Sequence, residues 1–138
     1  MNKKELIEQM NRLKGYLPDF LDIKIVSAKK GHVVASMKTK KKHLAPNGYM
    51  HAGAVVSLAD TTCGFGTFVN LPEEANNFTT IELKSNFLGT ALKGTIYCEA
   101  FAEHFGKHTQ VWSATVRDET GKKMALFRAT QMILYPKA

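Results

Sequence analysis

Hydrophobic and polar positions change rhythm several times along this chain. Over residues 3–14, Leu6, Ile7, Met10 and Leu13 recur at three- and four-residue intervals. That spacing predicts a short amphipathic helix, stopped by Gly15 and Pro18. Residues 21–28 and 32–38 read as two short strands joined by Lys29-Lys30-Gly31. A loop follows, KKKHLAPNGYMHAG, in which Pro46 and Asn47-Gly48 argue against regular structure. From Ala52 to Val69 the chain is apolar nearly all round, the pattern of a helix buried on every side. Gly64 and Gly66 lower its helix propensity but let a strand approach closely, and Asn70 and Pro72 end it. Alternation then returns over 78–88, 95–103, 109–117 and 123–134. Gly89, Gly94 and Gly106 punctuate these strands, and Asp118-Glu119-Thr120-Gly121 has the composition of a hairpin turn.

The order is helix, two strands, long apolar helix, then four strands in a meander. A helix apolar on every side needs a sheet to wrap it, which consecutive antiparallel strands can provide. We expect an α+β fold in one domain over residues 1–138, with 1–20 as an N-terminal helix and lead-in.

Composition narrows the classes. At 138 residues and 44% apolar, the chain can bury a sizeable core. Its apolar runs are broken short of the roughly 18 residues a bilayer span needs, and the charged N-terminus lacks a signal-peptide core. We therefore expect a cytoplasmic protein with no membrane partner. Cys63 and Cys98 have no metal-ligand spacing and read as buried thiols, so neither metal nor cofactor is expected. The net charge of +7 is concentrated in part at Lys38, Lys40, Lys41 and Lys42, with Lys30 further back. No aromatics are interleaved there, which favours a solvated loop over a nucleic-acid surface. A positive field would still draw in an anionic ligand.

Candidate chemistry centres on Asp60, the only charge in the long apolar helix. A carboxylate there must be paired, hydrogen-bonded or open to a cleft, where it could act as general base or nucleophile. His51 stands just before the helix, whose first N–H groups, from Ala52 and Gly53, could stabilise a developing oxyanion. Nine residues at about 100° each place His51 and Asp60 on opposite sides of the helix, roughly 13 Å apart along it. They cannot meet one substrate within one chain. They could do so across a two-fold axis, which makes an obligate dimer the consequence if both are functional.

The run Asn47-Gly48-Tyr49-Met50-His51-Ala52-Gly53, followed by Ala59-Asp60, resembles the hotdog-fold acyl-CoA thioesterases of the PaaI type, whose pattern is Gly-x-x-His-Gly-Gly and then a helical Ala-Asp. Thr79-Thr80-Ile81-Glu82-Leu83, Asn86-Phe87, Gly94 and Asp118-x-x-Gly121-Lys122 extend the likeness, which covers about residues 20–135. The resemblance implies a sheet wrapped round a central helix and hydrolysis of a small or medium acyl-CoA. Asp60 would act on water or on the thioester carbon. The Ala52 N–H of the partner subunit would polarise the carbonyl, His51 would shape that helix start, and the Thr80 hydroxyl would assist the water. Phe105-Gly106-Lys107-His108 would run along the pantetheine and phosphates, flanked by Phe87-Leu88, and Phe65, Phe68 and Phe87 could line an acyl tunnel. The assembly implied is a homodimer or a dimer of dimers. Two positions depart from the pattern. Ala45 stands where Asn or Gln is usual, with Asn47 as a substitute from the same loop, and Ala52 replaces the first glycine of His-Gly-Gly. A non-catalytic acyl-CoA sensor on the same fold would need the tunnel but not Asp60.

Overall fold

The computed structural model describes residues 1–137. Its elements run α1 (Lys3–Arg12), α2 (Leu17–Phe20), β1 (Ile23–Lys29), β2 (His32–Lys38), α3 (Ala52–Val69), β3 (Asn77–Phe87), β4 (Thr95–Phe105), β5 (Thr109–Arg117) and β6 (Lys123–Leu134). The six strands form one sheet in the order β1-β2-β4-β5-β6-β3, with every neighbouring pair antiparallel. The sheet curls round α3, so that Leu58, Ala59 and Cys63 of the helix share one core with Met37, Ile96, Trp112 and Phe127 of the strands. This is the expected α+β hotdog architecture.

The predicted four-strand meander is corrected. Only β4, β5 and β6 follow one another in the sheet, while β3 pairs with β6 at the far edge. Alternation tells which side chains face the core, but not which strand lies alongside. Two short elements also went unpredicted. Pro18 does not merely stop α1; it sits in the first turn of α2, where its missing N–H costs nothing. The lysine-rich loop contains a 3₁₀ turn over Lys41–His43, upstream of Pro46. There Lys40 and Lys42 pair with Asp22 at 2.9 and 2.7 Å, and these two ammonium groups hold its carboxyl down to about 2. The buried His43 ties the same turn to the carbonyl of Leu21 at 2.7 Å.

The central helix is not buried on every side. Ten of its residues are buried, but a stripe through Gly53, Val56, Ser57, Asp60, Thr61 and Phe68 stays partly or fully open. These positions recur at three- and four-residue spacing and so lie on one face. On the closed side Gly66 permits the tightest approach. A β-carbon there would fall 2.6 Å from the fully buried Trp112 ring.

Helix α1 is laid beside this core rather than into it. Asn2 and Glu5 close a capping box at its start. At its other end Asn11 grips the backbone of β1, donating to the Ile25 carbonyl at 2.9 Å and accepting from the Ile25 N–H at 2.8 Å. That pair fixes α1 over the open face of α3.

Candidate active site

The carboxylate of Asp60 projects from the open stripe of α3 and is only partly exposed. Its Oδ1 accepts a hydrogen bond from the Thr80 hydroxyl at 3.0 Å. Burial pushes its pKa above the usual aspartate value, and the Thr80 bond offsets part of that rise. A carboxyl group in this position is a better base than one in water. Cys63, one turn along, is buried and free, and burial likewise raises its thiol. Burial pushes Cys98 up to about 12, so both cysteines are inert thiols, as expected.

Beside Asp60 opens a cavity of about 450 Å³. Phe65 and Phe68 of α3 and Phe78 of β3 form its apolar walls, and Leu6 and Met10 of α1 close it from above. The two predicted tunnel phenylalanines on α3 are therefore here. Phe87 is not; it lies ten residues up the strand from Asn77.

At the other functional end, His51 is the N-cap of α3. Its Nδ1 accepts from the Gly53 N–H at 2.8 Å, so its proton sits on Nε2. A β-carbon on Gly53 would lie 3.0 Å from that nitrogen, which explains a glycine there. The expectation of two unpaired N–H groups is thus half corrected: the imidazole has taken that of Gly53. Among the described residues the Ala52 N–H has no acceptor, leaving it the free donor of the helix start. Asn47 spends its side-chain oxygen on the Tyr49 N–H at 3.1 Å, and Gly48 takes the left-handed conformation (φ 90°). Asn47 therefore shapes the loop that presents His51.

The remaining predicted residues separate into two places. Phe87 and Leu88 lie at the helix-start end of the sheet, where Thr90 accepts from the Met50 N–H at 3.0 Å. Gly106, Lys107 and His108 form the β4–β5 turn at the helix-finish end, where Gln110 donates to the Asn70 carbonyl at 2.9 Å. Phe87-Leu88 therefore does not flank Gly106–His108 within one chain. β3 and β5 both run antiparallel to β6, so the end of β3 and the start of β5 lie at opposite ends of it. Lys107 shares its cleft with Lys30 and Phe105, while His108 packs edge-on against Tyr135.

One residue of the Asp60 cluster went unpredicted. Gln131 on β6 is fully buried and lies 2.8 Å from the Thr80 hydroxyl. The signal available was a polar residue in phase with the buried Phe127, Ala129 and Ile133.

Comparison with known proteins bears on the family and the fold. Residues 47–125, from the loop before His51 to the start of β6, match the Thioesterase superfamily. The chain belongs to that family. This thioesterase is similar to the 1,4-dihydroxy-2-naphthoyl-CoA hydrolase of Listeria monocytogenes, with 33% identity over 114 residues covering 83% of this chain and 92% of that protein. The Escherichia coli protein of the same name is 26% identical over 133 residues, covering 96% and 97%. Among solved structures, a single-substitution variant of the thioesterase PA1618 from Pseudomonas aeruginosa superposes with a TM-score of 0.89 at 24% identity, covering 99% of this chain and 96% of that one. The Escherichia coli PaaI protein gives 0.83 at 23% identity, covering 94% and 92%. Those two likenesses speak for the fold, and the family and relatives speak for thioester hydrolysis.

Proposed function

We propose that this thioesterase, a single domain over residues 1–138, hydrolyses an apolar or aromatic acyl-CoA of small to medium size, with Asp60 as general base. The observation that carries the reading is a partly buried carboxylate, hydrogen-bonded by Thr80, on the wall of an apolar cavity of about 450 Å³. The acyl group fills that cavity against Phe65, Phe68 and Phe78. Relatives named for 1,4-dihydroxy-2-naphthoyl-CoA support an aromatic occupant.

Asp60 takes a proton from water while the oxygen attacks the thioester carbon. The charge that develops on the carbonyl oxygen is met by the Ala52 N–H, to which the start of α3 adds its dipole. The intermediate collapses, the C–S bond breaks, and the proton held by Asp60 passes to the thiolate of CoA. Lys107 and Lys30 attract the phosphates of the leaving arm.

Asp60 and Ala52 come from different chains in this scheme. The supporting features are the open stripe of α3, the exposed Ile81, Leu83 and Phe87, and β3 as a sheet edge. A two-fold axis that pairs β3 with its copy and sets the two helices antiparallel brings one chain's helix start, with Phe87-Leu88, towards the other chain's Asp60 and β4–β5 turn. We place the protein in the cytoplasm as a homodimer or dimer of dimers. Thiol release from a panel of aliphatic and aromatic acyl-CoA esters tests the activity. Asp60→Asn is expected to abolish it while acyl-CoA still binds. Near-normal turnover by that variant would remove Asp60 from the mechanism, and binding without turnover in the wild type would make the protein an acyl-CoA sensor.

A further inference from the structure

The Thr80 hydroxyl stands between two oxygens, 3.0 Å from Asp60 Oδ1 and 2.8 Å from Gln131 Oε1. It has one proton to give. With Asp60 ionised, that proton goes to the carboxylate, because turning it to the amide would set a hydroxyl lone pair against a carboxylate oxygen. The contact with Gln131 is then oxygen against oxygen with no proton between them. The same side chain shows a second fault: Gln131 is fully buried, and its Nε2 has no partner among the described residues. An unpaired buried donor is costly.

Turning the amide through half a circle removes both faults at once. Nε2 then donates to the free lone pair of Thr80, whose own proton is committed to Asp60. What stays unpaired is a carbonyl oxygen, which proteins tolerate better than an unpaired N–H. Strand pairing makes the contact possible, since Thr80 and Gln131 lie directly opposite each other in the β3–β6 ladder. An apolar residue in phase with Phe127 and Ala129 would satisfy packing alone.

We propose that Gln131 is a positioning residue, whose side-chain N–H locks the Thr80 hydroxyl with its proton aimed at Asp60. It acts through Thr80 and does not touch the substrate. Its catalytic consequence rests on the reading of Asp60 as the base. Burial acts first on the carboxylate, and among the described residues Thr80 makes the one side-chain hydrogen bond that opposes it. Cys63 lies beside it on its own helix, and Gln9 of α1 shares its cavity. The charged Glu82 and Lys84 of β3 and Arg128 of β6 occupy exposed positions.

Gln131→Met keeps the length of the side chain and removes the donor. The acid limb of kcat/KM for an acyl-CoA is expected to move to higher pH, with kcat reduced about fivefold and KM within about twofold. Thr80→Val should move the limb in the same direction, and the double variant should be no worse than Thr80→Val alone. An unmoved limb in Gln131→Met, or effects that add in the double variant, would overturn the proposal. A second measurement needs no substitution at Gln131 and no turnover. The ¹⁵N–¹H signals of its side-chain amide should follow the titration of Asp60 in the wild type, and lose that step in Thr80→Val and in Asp60→Asn. A flat amide signal in the wild type would sink the relay. A titrating amide in a protein that hydrolyses no thioester would instead keep the relay and reject the proposed function.

Discussion

The donor at the start of α3 can be removed almost in isolation. Ala52 is the first residue of the helix, its N–H has no acceptor among the described residues, and its side chain is exposed. Proline is well suited to this position, because its fixed φ matches the helix and the lost N–H bonded nothing. His51, the residue before it, already has the extended backbone that proline requires, with φ −68° and ψ 131°. Ala52→Pro should therefore alter stability by no more than about 1 kcal/mol. If the N–H meets the oxyanion, kcat should fall about 10²- to 10³-fold. Ala52→Gly keeps the N–H and serves as the control, with turnover close to wild type. Thiol release under saturating acyl-CoA reads both, and a thermal melt checks the fold. Mixing Ala52→Pro with Asp60→Asn then asks where the two halves of the site come from. In each mixed dimer one site collects both lesions and the other has neither. Random pairing at equal input makes about half the dimers mixed, so activity should return to about a quarter of wild type. Ala52→Pro with turnover within about tenfold of wild type would refute the oxyanion assignment. No recovery on mixing, once subunit exchange is verified, would show that each chain holds a complete site.

The remaining expectations follow from local contacts. Gly66→Ala drives a β-carbon to 2.6 Å from the buried Trp112 ring, which Gln110 holds through its Nε1–H at 2.9 Å, so it should cost about 1–3 kcal/mol in urea melts. Gly64→Ala meets only Phe78, at 3.3 Å, and should be neutral for stability while narrowing the cavity for bulky acyl groups; the opposite ranking of the two would contradict the packing described. Because burial raises Asp60, its ionisation opposes folding as pH rises through its folded-state pKa. Asp60→Asn should therefore be at least as stable as wild type at neutral pH, with its advantage fading in acid, and a lower melting temperature at neutral pH would count against this. Lys107→Ala should raise KM for acyl-CoA more than it lowers kcat, in a salt-sensitive way, and unchanged kinetics at low salt would route the phosphates elsewhere.

Much of the fold was readable because its periodicities are strong. The helix Ala52–Val69 was delimited at both ends, by Pro46 and Asn47-Gly48 in the loop before it and by Asn70 and Pro72 after it. The strands were found to within a few residues, and Asp60 was conspicuous as a lone charge among apolar neighbours. Non-local facts were not readable. The place of β3 beyond β6 depends on which edge the chain reaches after α3, and alternation is the same at either edge. Strand direction separated Phe87-Leu88 from Gly106–His108, and no spacing along the chain could show that. Gln131 was passed over because it stands where an apolar residue would be in phase, and its meaning comes only from Thr80 across the ladder.

The most instructive miss is the burial of α3. An apolar stripe looks the same in sequence whether a chain covers it with its own sheet or with a second copy. The sheet closes round Leu58, Cys63 and Gly66, and it leaves open the stripe that carries Val56, Asp60 and Phe68. On the same side β3 is an edge of 11 residues with Ile81, Leu83 and Phe87 exposed, and such an edge invites pairing unless something covers it. The free N–H of Ala52 and the carboxylate of Asp60 meanwhile stand more than two helical turns apart. One antiparallel two-fold partner would cover what α1 leaves open of the stripe, pair the edge and bring the two reacting groups together. Three separate shortfalls of the single chain thus have one remedy, and that convergence, more than any one residue, is the argument for a shared site.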